Sequence, residues 1–528
     1  MVSHRNRLLS FILEQFMMSS TINQDEEKDE ILTDEKIAEY LNFNLMEYKR
    51  TGSSVEELAL PFQNYTRSDI DQMFEFPYIY VVDPEQFTSN ERQQYKVTEQ
   101  SSFLYIDYSN KKYPCYVTLY FYSMQELIET REKTASSILV PGANMYVIPG
   151  DFVEPHRKYL LSANFVNWFK VLWPKGESYE EKLEIHGPSI CITSKDPTLP
   201  LATDHVPSLK CIHWPKSALN WINRTRLSKW PDQNLINSIV KFGCHVVGKS
   251  HPLTTSETET IEWRLSFSIG ESLLAKTLSF YQKKCYLIVK ALVDVHIKQD
   301  LELSKVICTY YLKTILYWLC ESIGKEQWTY ETLYDRFIDF IDYAITCFEK
   351  KCLNHYFIPE MNLIDHLNDE HLKKLSEKCL LIKNDLLNMI KICEEYYWNT
   401  NQFRRFDAII EVLTENENLH DNSCIIWCCA ITMQGFIKQY KLIDCPLKIV
   451  NDCIKRKYLE SCSDESARYL LYFTSLITHL VDDNNEENLS AHNAMIKICE
   501  AKSFFDQSYE EMKENYVQIQ NCLALKNN

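Results

Sequence analysis

Gly52-Ser53, followed by Asp69-Ile70-Asp71, is the stretch of this chain in which small residues, a hydroxyl and paired carboxylates fall in an order that chemistry can use. A Gly-Ser pair lets the backbone close around a phosphate, because glycine tolerates the tight turn and the hydroxyl and neighbouring N–H groups donate to the oxygens. An Asp-x-Asp in a strand puts both carboxylates on one face, since side chains alternate with period two. Carboxylates that close repel unless a cation sits between them, and Mg²⁺ prefers oxygen ligands shared with substrate phosphates. The chemistry indicated is metal-dependent phosphoryl or nucleotidyl transfer. A two-metal site needs a further carboxylate. The candidate is Asp204 in TDHVPSLKCIHWPKSALNW, at the edge of an expected strand, although an Asp shortly before Pro207 also reads as a turn residue.

The elements that must position these groups change in texture along the chain. Residues 5–18 carry apolar positions at helical spacing, DEEKDE at 25–30 reads as a solvated link, and a second helical pattern, Asp34 to Lys49, delivers the chain to Gly52. From Met73 to about Thr193 the segments FPYIYVV, SSFLYIDYS, YPCYVTLYFY and GPSICIT alternate like strands and imply a mixed sheet flanked by helices. From Glu271 onward long amphipathic helices take over, including LLAKTLSFYQKKCYLIVKALVDVHIKQ and LYDRFIDFIDYAITCFEKK. The expected class is α+β, a sheet-containing catalytic domain followed by a helical one.

Composition bounds the function. A chain of 528 residues exceeds one core. Its net charge of −17 opposes nucleic-acid binding, but residues 1–40 and 401–528 hold most of the acidic excess, so the middle can still present a basic face. The 19 Cys lack CxxC pairs, which fits reduced thiols in the cytoplasm. Cys347, Cys352 and His355, or Cys211 and His213, have ligand-like spacing without a companion pair, so no structural zinc is expected. The apolar runs Tyr310–Cys320 and Tyr469–Val481 are short or carry Lys313 and His479, and LLSFIL is cut by Glu14, so neither a membrane span nor a signal peptide is expected.

Taken together, Gly52-Ser53, Asp69-Ile70-Asp71, Asp204 with WP at 214–215, EWRLSFS at 262–268, YYLKT at 310–314 and HYFIPEMNL at 355–363 resemble the Mab-twenty-one (Mab-21) nucleotidyltransferase family, and within it the cyclic GMP-AMP synthase-like receptors of animals. The resemblance covers about residues 34–395. It implies a nucleotidyltransferase core with a twisted mixed sheet, packed on an all-helical lobe with the nucleotide cleft between them. The corresponding divisions are an N-terminal helix and acidic linker at 1–33, the core at 34–270, the lobe at 271–395 and a helical C-terminal extension at 396–528 with room for a further partner.

The resemblance also implies roles. Asp69, Asp71 and Asp204 match the family's metal-binding carboxylates, holding two Mg²⁺ or Mn²⁺ ions. Gly52 and Ser53 match its phosphate loop. Arg264, Ser266, Ser268 and Glu271 fall where the family contacts a nucleotide, Lys290 matches a lysine that reaches phosphate, and Thr309 and Tyr310 match a hydroxyl and a stacking aromatic. By the same resemblance the substrates are ATP and GTP or other NTPs, and the product is a cyclic dinucleotide acting on a STING-type receptor in innate immunity and antiviral defence. LLAKTLSFYQKKCYLIVK runs through with Cys285 alone where the mammalian DNA sensor carries a zinc insertion, which favours double-stranded RNA over double-stranded DNA as the activating ligand. Arg5, Arg7, Lys216, Arg224, Arg226, Lys229 and Lys283 are the candidate nucleic-acid contacts, and the loop 54–68 the candidate switch. Two other readings stand beside this one: a catalytically silent Mab-21-like interaction scaffold, and a nucleotidyltransferase that modifies RNA ends.

Overall fold

The computed structural model describes residues 6, 9, 10, 13, 47–53, 55–60, 70–95, 102–121, 159–172, 182–193, 202–254, 261–329 and 332–398. Arg5, Arg7, Asp69, most of the loop 54–68 and the extension beyond residue 398 lie outside them.

Among the described residues nine strands form one mixed sheet: β1 (Glu47–Thr51), β2 (Ile70–Val82), β3 (Ser102–Asp107), β4 (Tyr116–Tyr120), β5 (Lys182–His186), β6 (Ser189–Thr193), β7 (Ala202–Cys211), β8 (Cys244–Val247) and β9 (Glu262–Ser266). Their order is β1-β2-β3-β4-β9-β8-β7-β6-β5, and a further pairing of β2 with β7 closes six of them into a circuit. The two pairings that β2 makes with β3 and β7 are parallel and the rest antiparallel, so the sheet is mixed as the alternating segments predict. The helix expected over Asp34–Lys49 is corrected at its end: Glu47–Lys49 are strand, in register with Glu75, Phe74 and Met73 of β2. Pairing with a distant strand overrides the local pattern there.

β7 is the strand on which Asp204 depends, and it contains Pro207. A proline cannot donate to a sheet ladder. Here β6 pairs with residues up to His205 and β8 takes over at Ser208, so Pro207 falls between the two partners. Asp204 is therefore a mid-strand residue, not the turn residue that Pro207 also allowed.

The helices outside the sheet's second half are α1 (Ser89–Tyr95), α2 (Ser162–Leu172), α3 (Leu219–Asn223) and α4 (Gln233–Phe242). Among the described residues from Ser268 onward the helices are α5 (Ser268–Lys276), α6 (Phe280–His296), α7 (Thr309–Ser322), α8 (Leu333–Glu349), α9 (Asp369–Asn384) and α10 (Leu386–Trp398). The single helix expected across LLAKTLSFYQKKC is broken at 277–279. Ser279 accepts from the Gln282 N–H while the Gln282 side chain accepts from the Ser279 N–H, a capping box that starts α6 afresh. α6 is buried nearly all round, its polar Gln282, Lys284, Lys290 and Asp294 included, as befits a central helix, and α7, α8 and α10 pack about it.

Sheet and lobe share one core. Trp263, Leu265 and Phe267 alternate inward from β9, and Phe267 stacks on Phe357 with ring centroids 4.5 Å apart. Trp214 and Trp221 close on the same rings. Truncating a buried aromatic of this size to Ala costs about 3–5 kcal/mol, so the HYFIP segment anchors the lobe to the sheet.

Candidate functional site

The site starts at the end of β1. Thr51 stands opposite Asp71, and Gly52 turns the chain back with φ +81°. A Cβ on Gly52 would lie 1.7 Å from Asp71 Oδ2, so only glycine leaves room for that carboxylate. The turn that follows is closed by Glu56 N–H donating to Gly52 O (3.1 Å) and Leu58 N–H to Ser53 O (2.8 Å).

Asp71 and Asp204 are partners in register on the parallel strands β2 and β7. In-register neighbours project from the same face of a sheet, so the two carboxylates stand side by side. Asp204 Oδ1 is buried and has no hydrogen-bond partner. An orphaned carboxylate oxygen beside a second carboxylate is costly without a cation and fits a hard divalent ion of the Mg²⁺ or Mn²⁺ type.

A further carboxylate lies four residues along β2, on the same face as Asp71. Glu75 Oε2 accepts from Lys49 (2.8 Å) and meets His245 Nε2 at 2.9 Å, with Lys210 at 3.8 Å from the other oxygen. Burial alone would raise its pKa, but the contacts from His245 and the two lysines win and hold it at about 2. A depressed carboxylate stabilises the fold above its ordinary value of 4.5, and that stability is lost as pH falls toward 2. Glu75→Gln is therefore expected to lower stability at pH 7 by on the order of 2 kcal/mol, and in urea melts the difference from wild type should shrink steadily as pH falls from 4.5 toward 2. Sequence reading missed Glu75; its place four residues after Asp71, on the same face of the strand, was the available signal.

The helical lobe completes the site. Lys290 of α6 donates to Leu58 O (2.8 Å) and to Ser53 Oγ (3.3 Å), which brings the expected phosphate lysine onto the Gly-Ser turn. Burial pulls its pKa down to about 8, and neighbouring Lys298 and Lys313 pull the same way. Lys313 of α7 lies between Glu271 Oε2 (2.6 Å) and both oxygens of Glu56 (3.1 and 3.2 Å). Lys313 is in the YYLKT segment but drew no role from sequence; Glu56 drew none either.

On the other side of Glu271 is Tyr310, whose hydroxyl meets His355 Nε2 at 2.9 Å. The Nδ1 of His355 accepts from the N–H groups of Phe357 and Ile358 (3.1 Å each), so the neutral ring carries its proton on Nε2 and donates to Tyr310. Burial lowers the His355 pKa to about 4, keeping the ring neutral, and raises that of Tyr310. His355 has both nitrogens engaged and is a positioning group for Tyr310. Arg264 lies within electrostatic reach of Tyr310 and His355. It shares with Ser266 the half-exposed side of β9, opposite the buried Trp263 and Leu265, and Ser266 Oγ meets Ser268 Oγ at 3.0 Å. Thr309 opens α7 beside Tyr310.

The structure thus gathers Gly52, Ser53, Asp71, Asp204 and Lys290 along one edge and Arg264, Glu271, Tyr310 and Lys313 along the other. Glu56 links the two, paired with Lys313 and within electrostatic reach of Lys290.

The basic residues singled out for nucleic acid are placed differently from the expectation of a free cationic face. Lys216 pairs with Glu85 (2.6 Å) and Asp83 (3.3 Å). Arg224 and Arg226 both reach Glu321 of α7, and Arg224 also covers the rings of Trp318 and Tyr356. Lys283 pairs with Glu57. Lys229 is exposed. Arg224 and Arg226 lie 97 and 95 positions from Glu321, so nothing local in sequence reveals that they tie a loop to the lobe.

Of the zinc-like spacings, Cys347 is buried and its thiol pushed up to about 12, Cys352 Sγ contacts Asn354, and His213 pairs with Glu91. A grouping that spacing did not suggest is His251, Asp365 and His366, whose ligand atoms lie within 4.8 Å of one another. His251 Nδ1 accepts from Leu253 N–H (3.2 Å), which leaves the ring proton on Nε2, 3.1 Å from Asp365. With Tyr113 stacked on the ring at 3.7 Å, the trio is a hydrogen-bonded clasp between sheet and lobe.

Among the described residues no helix is long and apolar enough to cross a membrane. Comparison with known families matches residues 86–276 to the Mab-21 protein nucleotidyltransferase domain and residues 281–381 to the Mab-21 protein HhH/H2TH-like domain. The first match takes in Asp204, Arg264, Ser266, Ser268 and Glu271 but begins after Asp71; the second takes in Lys290, Thr309 and Tyr310. A protein mab-21-like of Aedes aegypti is 28% identical over 205 residues, covering 38% of this chain and 51% of that protein. One of Anopheles gambiae is 29% identical over 193 residues, covering 35% and 50%. The chain spans about half the length of the curated relatives it matches. With sheet core and helical lobe matched in succession, the chain carries the nucleotidyltransferase and C-terminal helical domains of the Mab-21 family.

Proposed function

We propose that this chain is a metal-dependent nucleotidyltransferase that joins two NTPs, ATP and GTP foremost, into a cyclic dinucleotide when double-stranded RNA engages it, in innate immune signalling in the cytoplasm. The observation that carries the transferase reading is the in-register pair Asp71 and Asp204, with an orphaned oxygen on Asp204 and Gly52 shaped to the Asp71 carboxylate. The cyclic product, the RNA ligand and a STING-type receptor for the product rest on the resemblance of the motifs to the cyclic GMP-AMP synthase-like receptors.

Asp71 and Asp204, with Asp69 by its place in the sequence, are the residues to hold two Mg²⁺ or Mn²⁺ ions. Bound there, such ions supply neutralisation of triphosphate charge and acidification of a ribose hydroxyl. The chain's own groups do the rest. The Ser53 hydroxyl and the N–H groups of its turn bind the β- and γ-phosphates, and Lys290 adds a positive charge beside them. Tyr310 stacks on a base at roughly 1–3 kcal/mol without choosing strongly, while the fork of Arg264 reads a base edge or phosphate in a way Lys cannot copy.

Lys290 gives this reading a proton signature. With a pKa of about 8 it is largely neutral at pH 9, and a bound triphosphate favours its charged form. Calorimetry of Mg·ATP binding in buffers of different ionisation enthalpy is expected to show proton uptake that grows from pH 7 to pH 9 and disappears in Lys290→Met.

The test of the whole reading is incubation of the purified chain with radiolabelled NTPs, Mg²⁺ or Mn²⁺ and double-stranded RNA, followed by chromatography and nuclease digestion. A small nuclease-sensitive dinucleotide, absent in Asp69→Ala/Asp71→Ala, is the expected product. Labelled RNA ends in its place would make the protein an RNA-modifying transferase. No product from either protein would leave an interaction scaffold.

A further inference from the structure

The turn 53–58 is gripped by three lysines of the lobe. Lys283 holds Glu57, Lys290 holds Leu58 O and Ser53 Oγ, and Lys313 holds both oxygens of Glu56. Glu57 has φ 58°, a left-handed conformation that suits glycine better than glutamate, so the turn stays in this shape only because its neighbours fix it. Glu56 is 1% exposed. Its carboxylate is thus buried within the cluster of cations that the Gly-Ser turn would offer to a phosphate.

Carboxylate and phosphate oxygens are alternative partners of one ammonium group. Lys313 also holds Glu271 at 2.6 Å, so exchanging Glu56 for a phosphate would leave the lysine with an anionic partner. We propose that Glu56 is a built-in competitor of the nucleotide's triphosphate for Lys313, and that its displacement is the step by which nucleotide binding frees the turn 53–58. This rests on the nucleotide-binding reading above and names the residue that sets the strength and selectivity of triphosphate capture. A triphosphate displaces Glu56; a ligand without phosphate has nothing to displace it with. Glu56 is a positioning residue here, acting on substrate through Lys313 and the turn.

The experiment is calorimetric titration of the full chain with Mg and the non-hydrolysable α,β-methylene ATP, and separately with adenosine, for wild type, Glu56→Gln and Glu56→Asp, each checked by a thermal melt. Glu56→Gln is expected to tighten binding of the triphosphate by roughly tenfold, the scale on which one charge-assisted contact is gained or lost, while adenosine affinity does not move. Glu56→Asp, with the carboxylate drawn back by one methylene, is expected to tighten it by a smaller factor and serves alone if the Gln variant does not fold. Wild type that binds the triphosphate, with folded variants that bind it equally or more weakly, overturns the competition. Equal tightening for adenosine also overturns it, since a looser pocket and not a freed lysine would then be responsible. If no protein binds the triphosphate at all, the nucleotide reading falls and this inference with it.

Discussion

Asp204→Asn is expected to reduce product formation by roughly 10³-fold or more while leaving the melting temperature unchanged or higher. The two halves of this result come from one observation. Asp204 Oδ1 is buried without a hydrogen-bond partner, beside Asp71 across the β2–β7 ladder. An amide of the same shape keeps the packing, and the buried Oδ1 has no hydrogen bond to lose, so the fold is not weakened by the exchange. Asn cannot supply the second anionic ligand that a divalent ion requires, so transfer is lost although the strand is intact. Single-turnover assays with labelled NTPs and Mg²⁺ or Mn²⁺, run beside a thermal melt, read both. Retained turnover would remove Asp204 from the metal set. A large drop in melting temperature would instead make it a structural residue.

The second large effect is at Gly52. A Cβ there would sit 1.7 Å from Asp71 Oδ2, and the backbone is at φ +81°. Gly52→Ala must therefore either open the turn or push the Asp71 carboxylate aside. A displacement on the order of 1 Å at a reacting site costs about 10²-fold in rate, and the left-handed backbone adds roughly 1–2 kcal/mol of destabilisation. Gly187 is the control. It also has positive φ, at +63°, but its nearest neighbour is the flexible Lys249 side chain at 3.7 Å. Gly187→Ala should show the backbone penalty and keep full turnover, whereas Gly52→Ala should lose both. Equal turnover in the two variants would show that Asp71 tolerates movement.

Much of the site is written in short-range pattern. Asp71 and Glu75 fall on one side of β2 by simple alternation, and the alternation of EWRLSFS separates buried Trp263, Leu265 and Phe267 from half-exposed Arg264 and Ser266. Period-two patterning reports burial of one face, and the physics behind it needs no knowledge of the partner. The capping box at Ser279 is equally local. It was overlooked because the apolar periodicity of the flanking segments carries across the break.

The charged partners were not readable in this way. Lys313 with Glu56, Lys283 with Glu57, Arg224 and Arg226 with Glu321, and Glu75 with His245 each join residues far apart in sequence. A lysine or arginine at a helical position looks solvated until its carboxylate is placed, and most such residues are. That is why four of the proposed nucleic-acid contacts prove to be engaged in ion pairs within the chain. The order of β7 between β2, β6 and β8 is likewise a tertiary decision, and it turns an Asp near a proline into a mid-strand residue beside Asp71.

The amino-acid sequence by itself determined part of the chemical inventory, the Gly-Ser pair and the carboxylates, because residue type and local spacing set what each group can donate or accept, whereas Lys290 and Tyr310 drew their roles only from the resemblance to the family. Only the tertiary structure decided which of those groups meet: that Asp71 and Asp204 share a register, that Lys290 rests on Ser53, and that Glu56 occupies Lys313. The physical reason is that electrostatic and hydrogen-bond energies fall away within a few ångströms, while the chain brings together residues more than two hundred positions apart, as with Ser53 and Lys290.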